Sequence, residues 1–207
     1  MRVRILILLV NISIAVTVVV AHPHIGVDVT LQPETENGVL EGVLVTWAFD
    51  LEAYSIEMLA DYDLDNNGTI NAKEEERIRT LAFENVENYS YFLFVGTNDG
   101  IMESPTAESF QVTLAPKEIS YRFYLPYRQR FEVSSDDRLK SFTFTLKDPT
   151  GFMSVSLSEF TPISLSGGSR PATYLVTERV EQFTFAHDTM LTGEMIVKDI
   201  LFFPTRG

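Results

Sequence analysis

The sequence predicts an α+β domain that is mostly β, an antiparallel β-sandwich-like fold carrying one inserted helix-loop-helix hairpin. Three observations lead there. Apolar residues alternate with period two over many short stretches, the mark of strands with one buried face; Phe110/Val112/Leu114, Ile119/Tyr121/Phe123/Leu125 and Phe142/Phe144/Leu146 are the clearest. Pro, Gly, Asp and Ser separate those stretches, as turn residues do. One segment breaks the period: Leu51, Tyr54, Ser55, Met58, Leu59 and Tyr62, then Ile78, Leu81, Ala82 and Val86, recur at helical spacing on either side of an acidic loop.

Residues 1–21 read as an export signal. Met1-Arg2-Val3-Arg4 is a short basic leader, Ile5 to Val20 is apolar apart from Asn11, Ser13 and Thr17, and Val19 with Ala21 satisfies the small-residue rule for cleavage. Cleavage after Ala21 predicts a mature chain of 186 residues that begins at His22 and forms a single domain, 22–207, with the helical insertion at about 50–89. If uncleaved, the leader would be an anchor, since its apolar run approaches the ~20 residues that span a bilayer. It is the one membrane association the sequence predicts.

The whole chain carries 16 basic and 29 acidic residues, a net of −13. Loss of Arg2 and Arg4 leaves 14 basic against 29 acidic, a net of −15. Such a surface argues against nucleic acid and anionic lipid as partners and favours cations. There is no cysteine, so an exported domain of this size relies on its core instead of disulfides. The combination predicts a periplasmic protein of a Gram-negative bacterium, or one otherwise exported.

The mature chain opens on a strand. Ile25, Val27, Val29 and Leu31 fall on one face, and His22, His24, Asp28 and Thr30 on the other. Asn37-Gly38 is a strong hairpin signal, and Val39 to Phe49 returns as a second strand containing the lone tryptophan, Trp47.

The acidic loop follows. Within Asp61 to Glu76, DYDLDNNGTINAKEEE, residues 63–74 match the twelve-residue calcium loop of an EF-hand position by position. Calcium is a hard cation that takes six to eight oxygens, and this spacing wraps the side-chain oxygens of Asp63, Asp65 and Asn67 around one point. Gly68 makes the sharp turn, Thr69 offers its backbone carbonyl, Asn71 acts directly or through a water, and Glu74 closes the site with both carboxylate oxygens. Asp50 and Asn71 are candidate N-caps, with Glu74 placed for a capping box. The alternative is a solvated acidic turn between two helices. Asn98-Asp99-Gly100 lacks the carboxylates and the closing Glu and reads as a hairpin turn. A solitary loop points to a structural ion, since sensors pair theirs.

Further strands are expected at Tyr91 to Val95, Ser109 to Leu114, Ile119 to Leu125, Phe142 to Leu146 and Phe152 to Leu157, then Tyr174 to Val180, Gln182 to Phe185 and Glu194 to Phe202. The many aromatics are core material.

The three histidines are His22, His24 and His187. After cleavage, the free amine and imidazole of His22 would stand two residues from His24 on one strand face, a nitrogen cluster suited to Ni2+, Co2+, Zn2+ or Cu2+. Pro23 has no amide hydrogen and blocks the binding mode that deprotonates intervening amides. Completion would fall to Asp28, His187 or Asp188. The alternative for the first two is a frayed, solvated terminus, and for His187 a loop histidine with its hydrogen bonds met.

The order of these features resembles a known family: a signal, a start at His22-Pro23-His24, an alternating strand, Trp47-Ala48-Phe49-Asp50, Tyr54-Ser55, the calcium-like loop, and Asp148-Pro149-Thr150-Gly151-Phe152. The chain is similar to the domain-of-unknown-function-1007 family, often described as the periplasmic component of an uncharacterised ABC-type transport system. Genes for nickel, cobalt or zinc transport often lie beside its members. The resemblance implies roles for His22, Pro23, His24, Asp63, Asp65, Asn67, Glu74 and Asp148-Pro149, and a membrane metal transporter as partner.

The leading expectation is a periplasmic, non-catalytic accessory protein for divalent transition-metal handling, with calcium as a structural ion. One alternative is an adhesive or partner-binding β domain whose calcium loop rigidifies a contact surface. Another is an oxidative metalloenzyme using His22 in a histidine brace. The sequence holds no nucleophile-base motif or cofactor loop that points to any other enzyme.

Overall fold

The computed structural model describes residues 25–36, 39–50, 61–97, 100–115, 118–127, 141–159, 161–164, 173–185 and 188–203. The expected leader, His22, His24 and His187 lie outside them. Among the described residues, one sheet comprises β1 (Ile25–Glu36), β2 (Val39–Asp50), β5 (Glu108–Ala115), β6 (Glu118–Leu125) and β8 (Met153–Leu157). The other comprises β3 (Leu93–Thr97), β4 (Gly100–Ile101), β7 (Phe142–Leu146), β9 (Thr173–Phe185) and β10 (Asp188–Phe203). Their orders are β5-β6-β2-β1-β8 and β4-β3-β7-β10-β9. This is the mostly β, sandwich-like α+β architecture that the alternation predicts.

Period two explains the core. Val27, Val29 and Leu31 of β1, Tyr121, Phe123 and Leu125 of β6, and Phe142, Phe144 and Leu146 of β7 are all buried. β1 and β2 pair antiparallel with Glu36 opposite Val39, so the connection falls on Asn37-Gly38. A bulge makes Glu34 oppose Gly42 and Thr35 oppose Leu40. The extra residue, Glu41, lets Leu40 and Val43 both point inward despite their spacing. Gly42 suits this position, because a Cβ would lie 2.8 Å from the Leu125 carbonyl oxygen and would also displace the Tyr124 ring.

Trp47 centres an aromatic cluster that joins sheet to insertion. Its ring stacks on Phe92 at 5.5 Å and meets Phe123 edge-on at 5.1 Å and Phe83 at 6.0 Å. Such pairs contribute about 0.5–1.5 kcal/mol each beyond burial.

The insertion lies between β2 and β3. The entering helix expected over Leu51 to Tyr62 falls largely outside the described residues; Asp61 and Tyr62 are helical. After the acidic loop comes α1 (Ala72–Ile78), then a π-helical turn, Arg79–Phe83, and a 3-10 segment, Glu84–Phe92. Ser90, Tyr91 and Phe92 have φ of 56°, 50° and 56°. The strand expected from Tyr91 therefore begins at Leu93. The chain reverses here into β3 while the Tyr91 and Phe92 rings stay buried in the aromatic cluster, and that packing holds three left-handed residues that each cost about 1–2 kcal/mol.

Two further departures have physical causes. β9 is one continuous strand, whereas the sequence reads as two, because Arg179 and Glu181 pair within the sheet and its neighbours instead of marking a break. β8 runs parallel to β1, since it arrives from β7 in the opposite sheet. The crossover is built on Asp148, 3% exposed. Its carboxylate accepts hydrogen bonds from the Thr150 amide at 2.7 Å, the Thr150 hydroxyl at 2.7 Å and the Met153 amide at 2.7 Å. Gly151 follows at φ 70°, with the Phe183 ring filling the space a Cβ would need.

Among the described residues no helix is long and apolar enough to cross a membrane.

Candidate metal centre

The loop curls around its own carboxylates. Asp63 accepts from the amides of Asn67 at 3.0 Å and Gly68 at 2.8 Å, using one oxygen for each. Asp65 accepts from the Asn67 amide at 3.2 Å, and the Asn67 side-chain oxygen accepts from the Thr69 amide at 2.8 Å. Asn66 and Gly68 supply the left-handed turns at φ 51° and 76°, conformations that Asn tolerates and Gly adopts freely.

Glu74 closes the circle. One of its oxygens accepts from the Leu64 amide at 2.8 Å and the other from the Asn71 amide at 3.0 Å. Asn71 in turn caps α1, its side chain accepting from the Lys73 and Glu74 amides in a full capping box. The sequence fixes this locally, since a cap three residues before a Glu places that carboxylate back over the loop.

Carboxylate oxygens of Asp63, Asp65 and Glu74 lie within 4.8 Å of one another. Asp63 is 7% exposed and Glu74 2%. Among the described residues no Lys or Arg pairs with any of the three. Amide donors meet only part of the acceptor capacity of each carboxylate. Buried charge without a counter-charge is costly, and a divalent cation is the partner this donor set suits: clustered hard oxygens, no sulfur, no imidazole. Asn67, Thr69 and Asn71 stand on the same loop with further oxygens.

The loop is tied to the sandwich by the residue next to its closing acid. Glu75 accepts the Val112 amide of β5 at 2.8 Å, and Ile78, one turn on, is fully buried. Sequence reasoning did not single out Glu75, because nothing local in a run of three glutamates marks the one that reaches a strand.

The second predicted set is not assembled by the described residues. Asp28 is on the solvent face of β1, opposite Ala48 and Ser156. Burial and then the nearby Glu159 charge push its carboxyl above the ordinary range. His22, His24 and His187 are outside the described residues, and Asp188 opens β10. Asp148, implied by resemblance alone, is the turn organiser described above; the signal that finds it is Asp-x-Thr-Gly, an Asx turn followed by a left-handed glycine.

Fold and loop together define a mostly β, sandwich-like domain with a helical insertion. The chain belongs to the family described as "Protein of unknown function (DUF1007)", whose model matches residues 7–181. It is similar to the "Uncharacterized 15.5 kDa protein in trpE 3'region" of Spirochaeta aurantia, at 23% identity over 108 residues, 52% of this chain and 74% of that protein. No solved structure matches the chain.

Proposed function

We propose that this is an exported, non-catalytic accessory domain for divalent-metal handling, in which the loop at Asp63–Glu74 takes calcium as a structural ion. The observation that carries the calcium reading is the convergence of Asp63, Asp65 and Glu74 oxygens within 4.8 Å, two of these residues being buried. Bound calcium would neutralise that convergent charge. The chain's own part is to hold the oxygens in place through the Asn67, Gly68, Leu64 and Asn71 amides.

The transition-metal part of the proposal, with a membrane transporter as the partner served and the periplasm as the site of action, rests on the signal-like leader, on His22 and His24, and on the resemblance given above. A partner-binding β domain is the second reading. Tyr174, Val176, Val180 and Ile196 share one face of the β9–β10 hairpin and are 41%, 36%, 64% and 59% exposed, an apolar surface that favours it.

Thermal melting of the processed chain, with calcium and with a chelator, tests the calcium reading. An ion bound by the folded loop alone stabilises by about 2.7 kcal/mol at a hundredfold excess over Kd. A melting temperature unmoved by calcium, with no ion retained on dialysis, overturns it. Titration with nickel, cobalt, zinc and copper tests the remainder: one site lost in His22→Ala is expected, and no site leaves the partner-binding reading.

A further inference from the structure

A second cavity lies away from the loop, where the insertion meets the start of β5. It has a volume of about 410 Å3, toward the lower end of the range for small-molecule sites. Its floor is aromatic. Phe83 stacks on Phe110 with ring centroids 4.3 Å apart and on Tyr91 at 5.3 Å. Phe83 and Tyr91 are buried, whereas Phe110 keeps accessible surface at the cleft.

The rim is acidic. Glu84, Glu87 and Glu108 line it against a single cation, Arg79, which is engaged with Glu76 and Glu84 at 3.5 Å each. Glu87 is held in place: it accepts the Thr106 hydroxyl at 2.6 Å and bonds the Tyr91 hydroxyl, whose oxygen accepts the Ala107 amide at 3.0 Å. Burial pushes the Tyr91 phenol up, the Ala107 amide pulls it down, and the Glu87 and Glu84 charges add to the rise, so the phenol remains a donor to Glu87 at neutral pH. A carboxylate with two hydroxyl donors still has acceptor capacity to spare.

The ligand class follows by exclusion. Among the described residues, three carboxylate oxygens converge only in the loop, so this rim does not form the oxygen cage a bare metal ion needs. An anion would meet like charge, and a neutral apolar molecule would leave the acids unused. A cation with an apolar body uses both, since its charge meets an oriented carboxylate and its body covers an aromatic face that itself attracts cations.

We propose that this cleft binds a small organic ammonium ion, its charged head on Glu87 and its apolar body on Phe110. The proposal is independent of calcium in the loop. The test is calorimetric titration of the full processed chain, in saturating calcium, with 2-phenylethylamine, its neutral analogue 2-phenylethanol, and N-acetyl-lysine amide, whose ammonium sits on a flexible chain as it would on a protein partner. One saturable site for the amine is expected. Glu87→Gln and Phe110→Leu should each weaken it by about tenfold or more, with melting temperatures confirming that both variants fold. The alcohol should not bind detectably, and the lysine derivative should bind more weakly than the amine. No saturable binding, equal binding of the alcohol, or unchanged affinity in either variant overturns the site. Tighter binding of the lysine derivative overturns the small-molecule assignment.

Discussion

Glu75 holds Val112: its carboxylate accepts the outward amide of an edge strand at 2.8 Å, one residue beyond the acid that closes the loop. Among the described residues β5 ends its sheet, and an edge amide normally faces water or another molecule. Here the helical insertion reaches that edge through Glu75 to Val112, and holds the approach to it through Glu87 to Thr106 and Tyr91 to Ala107. Glu75→Ala is expected to cost about 1–2 kcal/mol of stability, the worth of a charge-assisted, partly buried bond. Hydrogen exchange at the Val112 amide should accelerate with it. Exchange unchanged from the parent would show that the bond is not formed in solution.

Glu74→Gln tests the closing ligand separately from the clamp. The amide side chain keeps an oxygen for only one of the Leu64 and Asn71 amides, turns an NH2 toward the other, and loses the bidentate charge. Most of the calcium-dependent rise in melting temperature should vanish, each protein being compared with its own chelated form. A full calcium response in this variant would exclude Glu74 as a ligand.

If processing exposes His22 and its amine binds metal as proposed, a residue left before it would convert that amine to an amide and remove one nitrogen ligand. Transition-metal affinity should fall roughly tenfold, and should weaken steeply between about pH 8 and 5 as the amine and imidazole protonate. Calcium binding, which uses oxygens far along the chain, should not change. Equal transition-metal affinity in the blocked and free forms rules out coordination by the amine.

Asp148→Ala removes a buried acceptor from three donors at the crossover into β8. Chemical denaturation should register a loss of about 2–4 kcal/mol. Asp148→Asn, which keeps one oxygen, should recover part of it. A loss below about 0.5 kcal/mol would mean the turn holds without its carboxylate.

Asp199 gives the fold an acid-sensitive contact. Burial pushes its carboxyl up, but hydrogen bonds from Arg179 and Thr145, with the charges of Arg179 and Lys147, outweigh that and hold it below the ordinary carboxylate range. The Arg179 bond is 2.6 Å and the Thr145 bond 2.6 Å. A depressed carboxyl stabilises above its unfolded pKa, near 4, and the contribution disappears as pH falls through the lower folded value. Asp199→Asn should therefore be less stable than the parent at neutral pH, and the gap should close below about pH 4. A gap that does not narrow as pH falls below about 4 contradicts the assignment.

What the sequence reveals follows the range of each interaction. β1, β6 and β7 are legible because burial on one face writes period two directly into neighbouring residues. The turn at Gly68 and the Asn71-Glu74 box are legible because all their partners lie within a few positions. Strand order across the sheets, the parallel β1–β8 pair and the Glu75–Val112 bond are set between residues distant in sequence, and no local pattern records them. Tyr91 and Phe92 mislead for a related reason: β-prone aromatics look like strand, yet the cluster around Trp47 fixes their rings where the backbone must turn. The convergence of the Asp63, Asp65 and Glu74 oxygens is readable as a pattern, while the aromatic and acidic cleft, assembled from residues 79–110, is not.

Among the described residues β9 has no neighbour beyond it in its sheet, and the charges along it act as gatekeepers. Glu178 pairs with Lys198, Arg179 with Asp199 and Glu181, and Glu181 with Lys147, so the centre of an apolar edge is occupied by side chains committed to their own sheet. Charge of this kind interrupts the row onto which a foreign strand would add. Neutralising the Glu178–Lys198 pair, which leaves Asp199 and its partners in place, would leave the buried core intact, and a melting curve would score such a variant as nearly harmless. The damage would surface as concentration-dependent filaments or insoluble protein during expression, a selection on colloidal behaviour that measurements on the dilute monomer do not register.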